Sequence, residues 1–313
     1  MTESLRPMST GELLDRTFML YRKNFLLFVG VATVGPAAYL VFQLLTIGSA
    51  VVPAANARPA TTAFASMSFG LVVGFLVMMA GMAISHAATV KAVAAVHLGR
   101  TITISGAYKA LRGRILRVLG VFALVMLLVM LGFVLIGVVA GVLGGLAVVG
   151  GAAGGTAAAI AGGLVGLTVV VLGAVLAVTI YVRYSLAIQA CVVEDLRPLA
   201  SLKRSAVLSK GARSRVLTIY FIFTLLSMII RFVLGGMMGA AGTLLHNRVI
   251  ALILIYLASF VASSLTGPLA TIGISLLYYD ERVRKEAFDL QLMMATLDAP
   301  TAPVQPVAAP IQA

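Results

Sequence analysis

One formal charge stands inside an apolar run of this 313-residue chain, and it is Arg231. An ionisable side chain at such a place is costly, so it marks a contact site by default. No Asp or Glu lies in any apolar run to pair with it. Arg231 sits about 15 residues into its run, roughly 22 Å of helix rise from the charged end. That depth admits two kinds of chemistry. The side chain snorkels to lipid phosphate at the far surface, or it contacts a ligand or lipid headgroup between helices.

The other chemistry-bearing residues form no constellation. His86, His97 and His246 have no HxxxH or HExxH spacing, and the single cysteine, Cys191, allows neither a CxxC pair nor an intramolecular disulfide. No metal site and no cofactor is expected. A GxxxxGK[ST] loop, a GxSxG elbow and a catalytic carboxylate pair are all missing from the sequence. His86, near the inner end of its run, reads as a packing residue or a proton relay. Coupled carriers commonly use a buried carboxylate, and the apolar runs hold none.

The elements that position these residues are membrane spans. The chain is 61% hydrophobic and 11% charged, against roughly 45–50% and about 25% for a soluble domain. Its mean hydropathy is +1.09. Six apolar runs, at about 24–48, 65–89, 118–144, 157–181, 216–236 and 250–277, are each long enough to cross the ~30 Å hydrocarbon core. The predicted fold is all-α: a polytopic membrane helix bundle forming one domain over 1–298, with a disordered Pro/Ala-rich tail at 299–313. Pro36 and Pro268 fall inside the first and last runs, where neighbouring groups must re-satisfy the freed carbonyls. Gly137, Gly141 and Gly145, with Gly162 and Gly166 opposite, make small-xxx-small spacings. These suit packing of the third run on the fourth, or an interface with a second copy or another membrane protein. The N-terminus has acids and no small-residue cleavage site, so the first run is expected to remain.

A short amphipathic stretch precedes the first, third and fifth runs. Ser9 and Glu12 form a capping-box signature, and Leu14, Phe18, Tyr21 and Phe25 fall on one helical face. Tyr108, Leu111, Ile115 and Leu119 form the second stripe, and the third stretch starts at Pro198 with Gly211 as its breaker. Their starts at Pro7, Thr103 and Pro198 are 96 and 95 residues apart, which suggests a threefold helix-plus-hairpin repeat. Six spans joined by long inner connections give similar spacing without one. Counting along the chain places twenty Lys and Arg on one side of the spans and two, Arg58 and Arg248, on the other. That asymmetry predicts both termini in the cytoplasm. The net charge of +13 then points to anionic membrane lipid rather than nucleic acid. Arg16, Arg112, Lys203 and Arg204 are the candidate lipid contacts on this inner layer, beside Arg231 in the membrane.

Three blocks carry a family resemblance. They are Leu5 to Phe18 (LRPMSTGELLDRTF) with Tyr21 to Phe25 (YRKNF); Val193 and Glu194 followed by Leu202 to Ser205 (LKRS) and Leu208 to Gly211 (LSKG); and Leu277 to Glu286 (LYYDERVRKE) with Phe288 to Leu290 (FDL). Together they resemble the bacterial membrane domains named after glycerophosphoryl diester phosphodiesterases, over roughly residues 5–295. In some relatives such a domain precedes a catalytic barrel. The residues after the sixth run hold no such barrel, so enzymatic activity is not what the resemblance implies here.

The expected function is that of a non-enzymatic, multi-pass bacterial plasma-membrane protein. It would interact with lipid, or act as a scaffold, through a basic cytoplasmic helix layer. A transporter or permease component is the alternative, and a polar cavity lined by Arg231, Gln43 or Ser264 would favour it. A lipid-acting enzyme would need clustered catalytic groups that the sequence does not supply.

Overall fold

A computed structural model describes residues 7–55, 60–287 and Met294. The described residues form helices and no strand. In chain order these are α1 (Thr10–Lys23), α2 (Phe25–Ala32), α3 (Val34–Ala55), α4 (Ala60–His97), α5 (Ile104–Lys109), α6 (Ile115–Tyr184), α7 (Ala187–Val193), α8 (Pro198–Leu208), α9 (Arg213–Leu244) and α10 (Arg248–Glu286). Six segments are long and apolar enough to cross a membrane: Phe25–Ile47, Gly70–His97, Ile115–Val142, Ile160–Val193, Arg213–Leu244 and Arg248–Glu286. The protein is an all-α polytopic membrane bundle.

Each span begins where the local chemistry allows a break. Ser9 accepts from the Glu12 amide at 3.2 Å and Glu12 accepts from the Ser9 amide at 2.7 Å, closing the capping box that starts α1. Asn24 then separates α1 from α2. Gly113 before α6 and Gly211 before α9 hold φ of 81° and 87°, a region that a Cβ disfavours. In all three cases a short helix turns at one residue or a short turn and then enters a span.

The third and fourth spans depart from expectation. Residues 115–184 are helical throughout apart from Gly155, whose φ of 73° turns the chain over. The helix thus runs on through the Gly/Ala tract between the runs expected at 118–144 and 157–181, because small residues alone do not end a helix. The two arms meet antiparallel at Gly132 against Ile180 and at Gly173 against Ile136. α10 ends at Glu286 with Ala287 left-handed at φ 50°, and Leu290, read from the sequence as part of the exit helix's apolar face, lies outside the described residues. The tail and Asp289 lie outside the described residues.

α10 is the central post. From Leu269 to Glu281 every residue but Ala270 is buried. It packs on α9 along its length and on α1, α2, α3 and α4 elsewhere. Gly242 makes the tightest approach to it: a Cβ there would stand 2.3 Å from the Ala251 Cα. Outward faces of the spans carry exposed apolar side chains such as Leu76, Leu127, Phe133, Leu172 and Phe232. Bilayer hydrocarbon is the solvent such faces suit.

Candidate functional site

Charged residues of α8, α9, α10 and the α6–α9 connection converge at one end of the bundle, with the backbone of Met8 just before α1. Arg215 donates to Asp280 at 2.6 Å, to Glu281 at 2.8 Å and to the Met8 carbonyl at 2.9 Å. Arg284 reaches Asp280 at 2.8 Å and the same carbonyl at 2.7 Å, while the Met8 amide donates to Asp280 at 2.6 Å. The two acids are buried, and this web of donors is what permits it. Beside it Arg204 bridges Glu194 at 2.9 Å and Glu286 at 2.7 Å, and the Tyr278 hydroxyl donates to Glu194. The Glu286 hydrogen bond, followed by those to Glu194, raises the Arg204 pKa above its ordinary value. Arg114 and Arg117 hold Asp195 at 3.0 and 2.9 Å. The sequence predicts Lys285 pairing with Glu281, and the two lie 3.1 Å apart.

Arg204 was expected to contact lipid. It is instead enclosed by carboxylates and only a quarter exposed. Arg16 is half-buried. Lys203 and Arg112 are exposed and make no ion pair among the described residues, as are Arg22, Lys23, Lys109 and Lys210. The same short helices show apolar groups to the outside: Phe18, Met19 and Phe25 around α1, Ile104 on α5, and Leu199 and Val207 on α8. The buried stripe of α1 is Leu13, Thr17 and Leu20; of the apolar face read from the sequence, Leu14 and Tyr21 pack partly against the core while Phe18 and Phe25 are exposed. Thr17 fits there because its hydroxyl donates to the Leu13 carbonyl at 2.8 Å.

The second site lies within the membrane. α3 and α4 approach closely because Gly81 meets Ala38 and Gly35 meets Ser85. Pro36 has no N–H, so α2 and α3 part at Thr33 and the Ala32 carbonyl loses its helical partner. The Ser85 hydroxyl donates to that carbonyl at 2.9 Å, and Tyr108 donates to the adjacent Val31 carbonyl at 2.5 Å. A cavity of about 320 Å³ opens beside this kink. Its walls are α2 and α3, α4, α9 and α10, and Arg231 lines it together with His86, Tyr39, Ser227, Ser263 and Thr266. Ser263 and Thr266 donate to their own helix at Ser259 and Ala262, at 2.6 and 2.8 Å, so their oxygens face the cavity as acceptors. His86 Nδ1 stands 3.4 Å from the Thr271 hydroxyl. Arg231 is exposed and forms no hydrogen bond or ion pair among the described residues.

Sequence reasoning singled out Arg231 but not its surroundings. Ser263, not Ser264, turns inward; the Ser264 hydroxyl is buried without a hydrogen-bond partner, and Gln43 lies outside the cavity lining. Gly137, Gly141, Gly145 and Gly166 have nothing within 4 Å of an added Cβ. Gly162 is half-buried. The close approach inside the α6 hairpin belongs to Gly132 and Gly173. Gln189 was also missed: it is fully buried on α7 and neither amide atom has a hydrogen-bond partner. Cys191 is buried and packs in the core.

No family model, no curated protein and no solved structure matches this chain.

Proposed function

We propose that this is a non-enzymatic, lipid-interacting protein of the bacterial plasma membrane. Its cation-rich end would lie on the cytoplasmic side. The observation that carries this reading is the division of labour among the cations there. One set is bound to carboxylates, whereas Arg22, Lys23, Lys109, Arg112, Lys203 and Lys210 are exposed and make no ion pair among the described residues, beside exposed apolar side chains. A helix with that composition rests in a headgroup layer, its apolar groups inserted and its cations on lipid phosphates. Membership of the glycerophosphoryl diester phosphodiesterase membrane-domain family is part of the proposal. In its support, the blocks that carry the resemblance touch one another: the first meets the third where the Met8 amide donates to Asp280, and the second meets the third where Arg204 bonds Glu286.

The test is lipid retention by the purified full chain taken from membranes of mixed composition. Anionic lipid should be enriched over zwitterionic lipid. Replacing Lys203→Gln and Arg112→Gln together should reduce that enrichment several-fold, since each surface cation contributes about 1 kcal/mol. Equal retention of both lipid classes, unchanged in the double variant, overturns the reading. A permease component is the second reading, and the Arg231 cavity is the observation that favours it.

A further inference from the structure

We infer that the cavity between α3, α4, α9 and α10 is a binding site for a phosphate group that carries free hydroxyls, with Arg231 as its anion clamp. Three features select that chemistry. The first is charge: the cavity lining includes one guanidinium and no carboxylate. A cation left without a counter-charge in a membrane interior is costly, and an anionic ligand removes that cost. A guanidinium presents its N–H groups as a planar fork that matches two oxygens of one phosphate.

The second feature is the pattern of donors and acceptors. Ser85, Ser263 and Thr266 have already given their hydroxyl hydrogens to helix carbonyls. Toward the cavity each offers only oxygen lone pairs. A bare inorganic anion would meet these as repulsive, whereas a ligand with its own hydroxyl donors would be held by them. The ligand is therefore anionic at the Arg231 side and hydroxylated toward α4 and α10.

The third feature is place and size. Arg231 is exposed at the opening, about 22 Å of helix rise from the charged start of its span. In a ~30 Å hydrocarbon core it can reach the phosphate layer of the opposite leaflet. A volume of about 320 Å³ lies at the small end of ligand sites, the size of a headgroup rather than of a whole lipid. The phosphate could arrive as a lipid headgroup or as a soluble polyol phosphate, because both present the same atoms.

This inference is independent of the interfacial layer and can fail separately from it. The full chain, purified in neutral detergent, is followed by thermal unfolding and by native mass spectrometry. The probes are phosphatidylglycerol, phosphatidylcholine and glycerol 3-phosphate. Phosphatidylglycerol should raise the melting temperature saturably and stay bound at one copy, whereas phosphatidylcholine should not. Arg231→Gln should weaken this binding at least tenfold, and Arg231→Lys, which keeps the charge but loses the fork, by less. Thr266→Val, which removes an acceptor at nearly constant volume, should weaken it several-fold with unchanged stability of the unliganded protein. Lys203→Gln/Arg112→Gln should leave it intact. Protection by glycerol 3-phosphate alone, lost in Arg231→Gln, assigns the same site to a soluble ligand. Equal binding in wild type and Arg231→Gln, equal binding of phosphatidylcholine, or no binding of any probe overturns the inference.

Discussion

The Ser85 hydroxyl stands 2.9 Å from the Ala32 carbonyl, the acceptor that Pro36 leaves without its helical N–H. A residue 53 positions away thus completes the backbone of the broken span. The last span also holds a proline and also receives a side-chain donor nearby, though not on the freed carbonyl. Pro268 frees the Ser264 carbonyl, and the Tyr21 hydroxyl donates at 2.7 Å to the next one, Leu265. Pro36, just past the break between α2 and α3, lines the Arg231 cavity together with Ala32 and Gly35. Kink and cavity are one feature: the chain departs from a straight helix where the polar wall is needed.

Ser85→Ala should therefore destabilise the protein by about 1–3 kcal/mol, the cost of leaving a buried acceptor unpaired. The measurement is thermal or denaturant unfolding in detergent. Pro36→Ala restores an N–H for the Ala32 carbonyl, so Ser85→Ala should cost much less in that background. Additive effects of the two substitutions would show that the hydroxyl and the proline are not coupled.

Arg204 and its neighbour Lys203 should separate stability from lipid binding. Arg204→Gln strips a partly buried guanidinium from Glu194 and Glu286, two carboxylates that are each at most a quarter exposed. A loss of about 2 kcal/mol is expected, typical of hydrogen bonds to charged groups. Lys203 is exposed and makes no ion pair among the described residues. Lys203→Gln should change stability by less than about 0.5 kcal/mol while lowering retention of anionic lipid. A reversed pattern, with Lys203 the structural residue, would contradict the assignment of roles on α8.

The spans, the capping box at Ser9, the break at Gly211 and the Glu281–Lys285 pair were legible because each depends on neighbours in sequence. The buried side of α1 was not. In a membrane protein an interfacial helix has two apolar faces, one toward protein and one toward lipid, and periodicity cannot tell them apart. The sequence picks out the aromatic stripe through Phe18 and Phe25, whose two phenylalanines are exposed; the protein side, with the polar Thr17 between Leu13 and Leu20, it does not pick out. Arg204 was misread for a different reason. Its partners Glu194 and Glu286 are 10 and 82 residues away, and only the packed bundle brings them together. Arg231 was visible as an isolated charge, but its cavity needed four helices in place.

The glycines of the two later hairpins should respond in opposite ways to the same substitution. Gly242→Ala puts a methyl group 2.3 Å from the Ala251 Cα, a backbone atom that cannot swing aside. α9 and α10 must part at their turn, so a loss of about 1–3 kcal/mol is expected, as for other overpacked sites. Gly141→Ala meets nothing within 4 Å, and alanine is the better helix former by about 1 kcal/mol. The monomer should be unchanged or slightly more stable. Crosslinking in the membrane provides the second readout. If Gly141 and its neighbours Gly137 and Gly145 seat a second copy, Gly141→Leu should abolish the crosslinked dimer without altering the melting of the monomer. No crosslinked dimer in the wild type would instead leave that face to lipid.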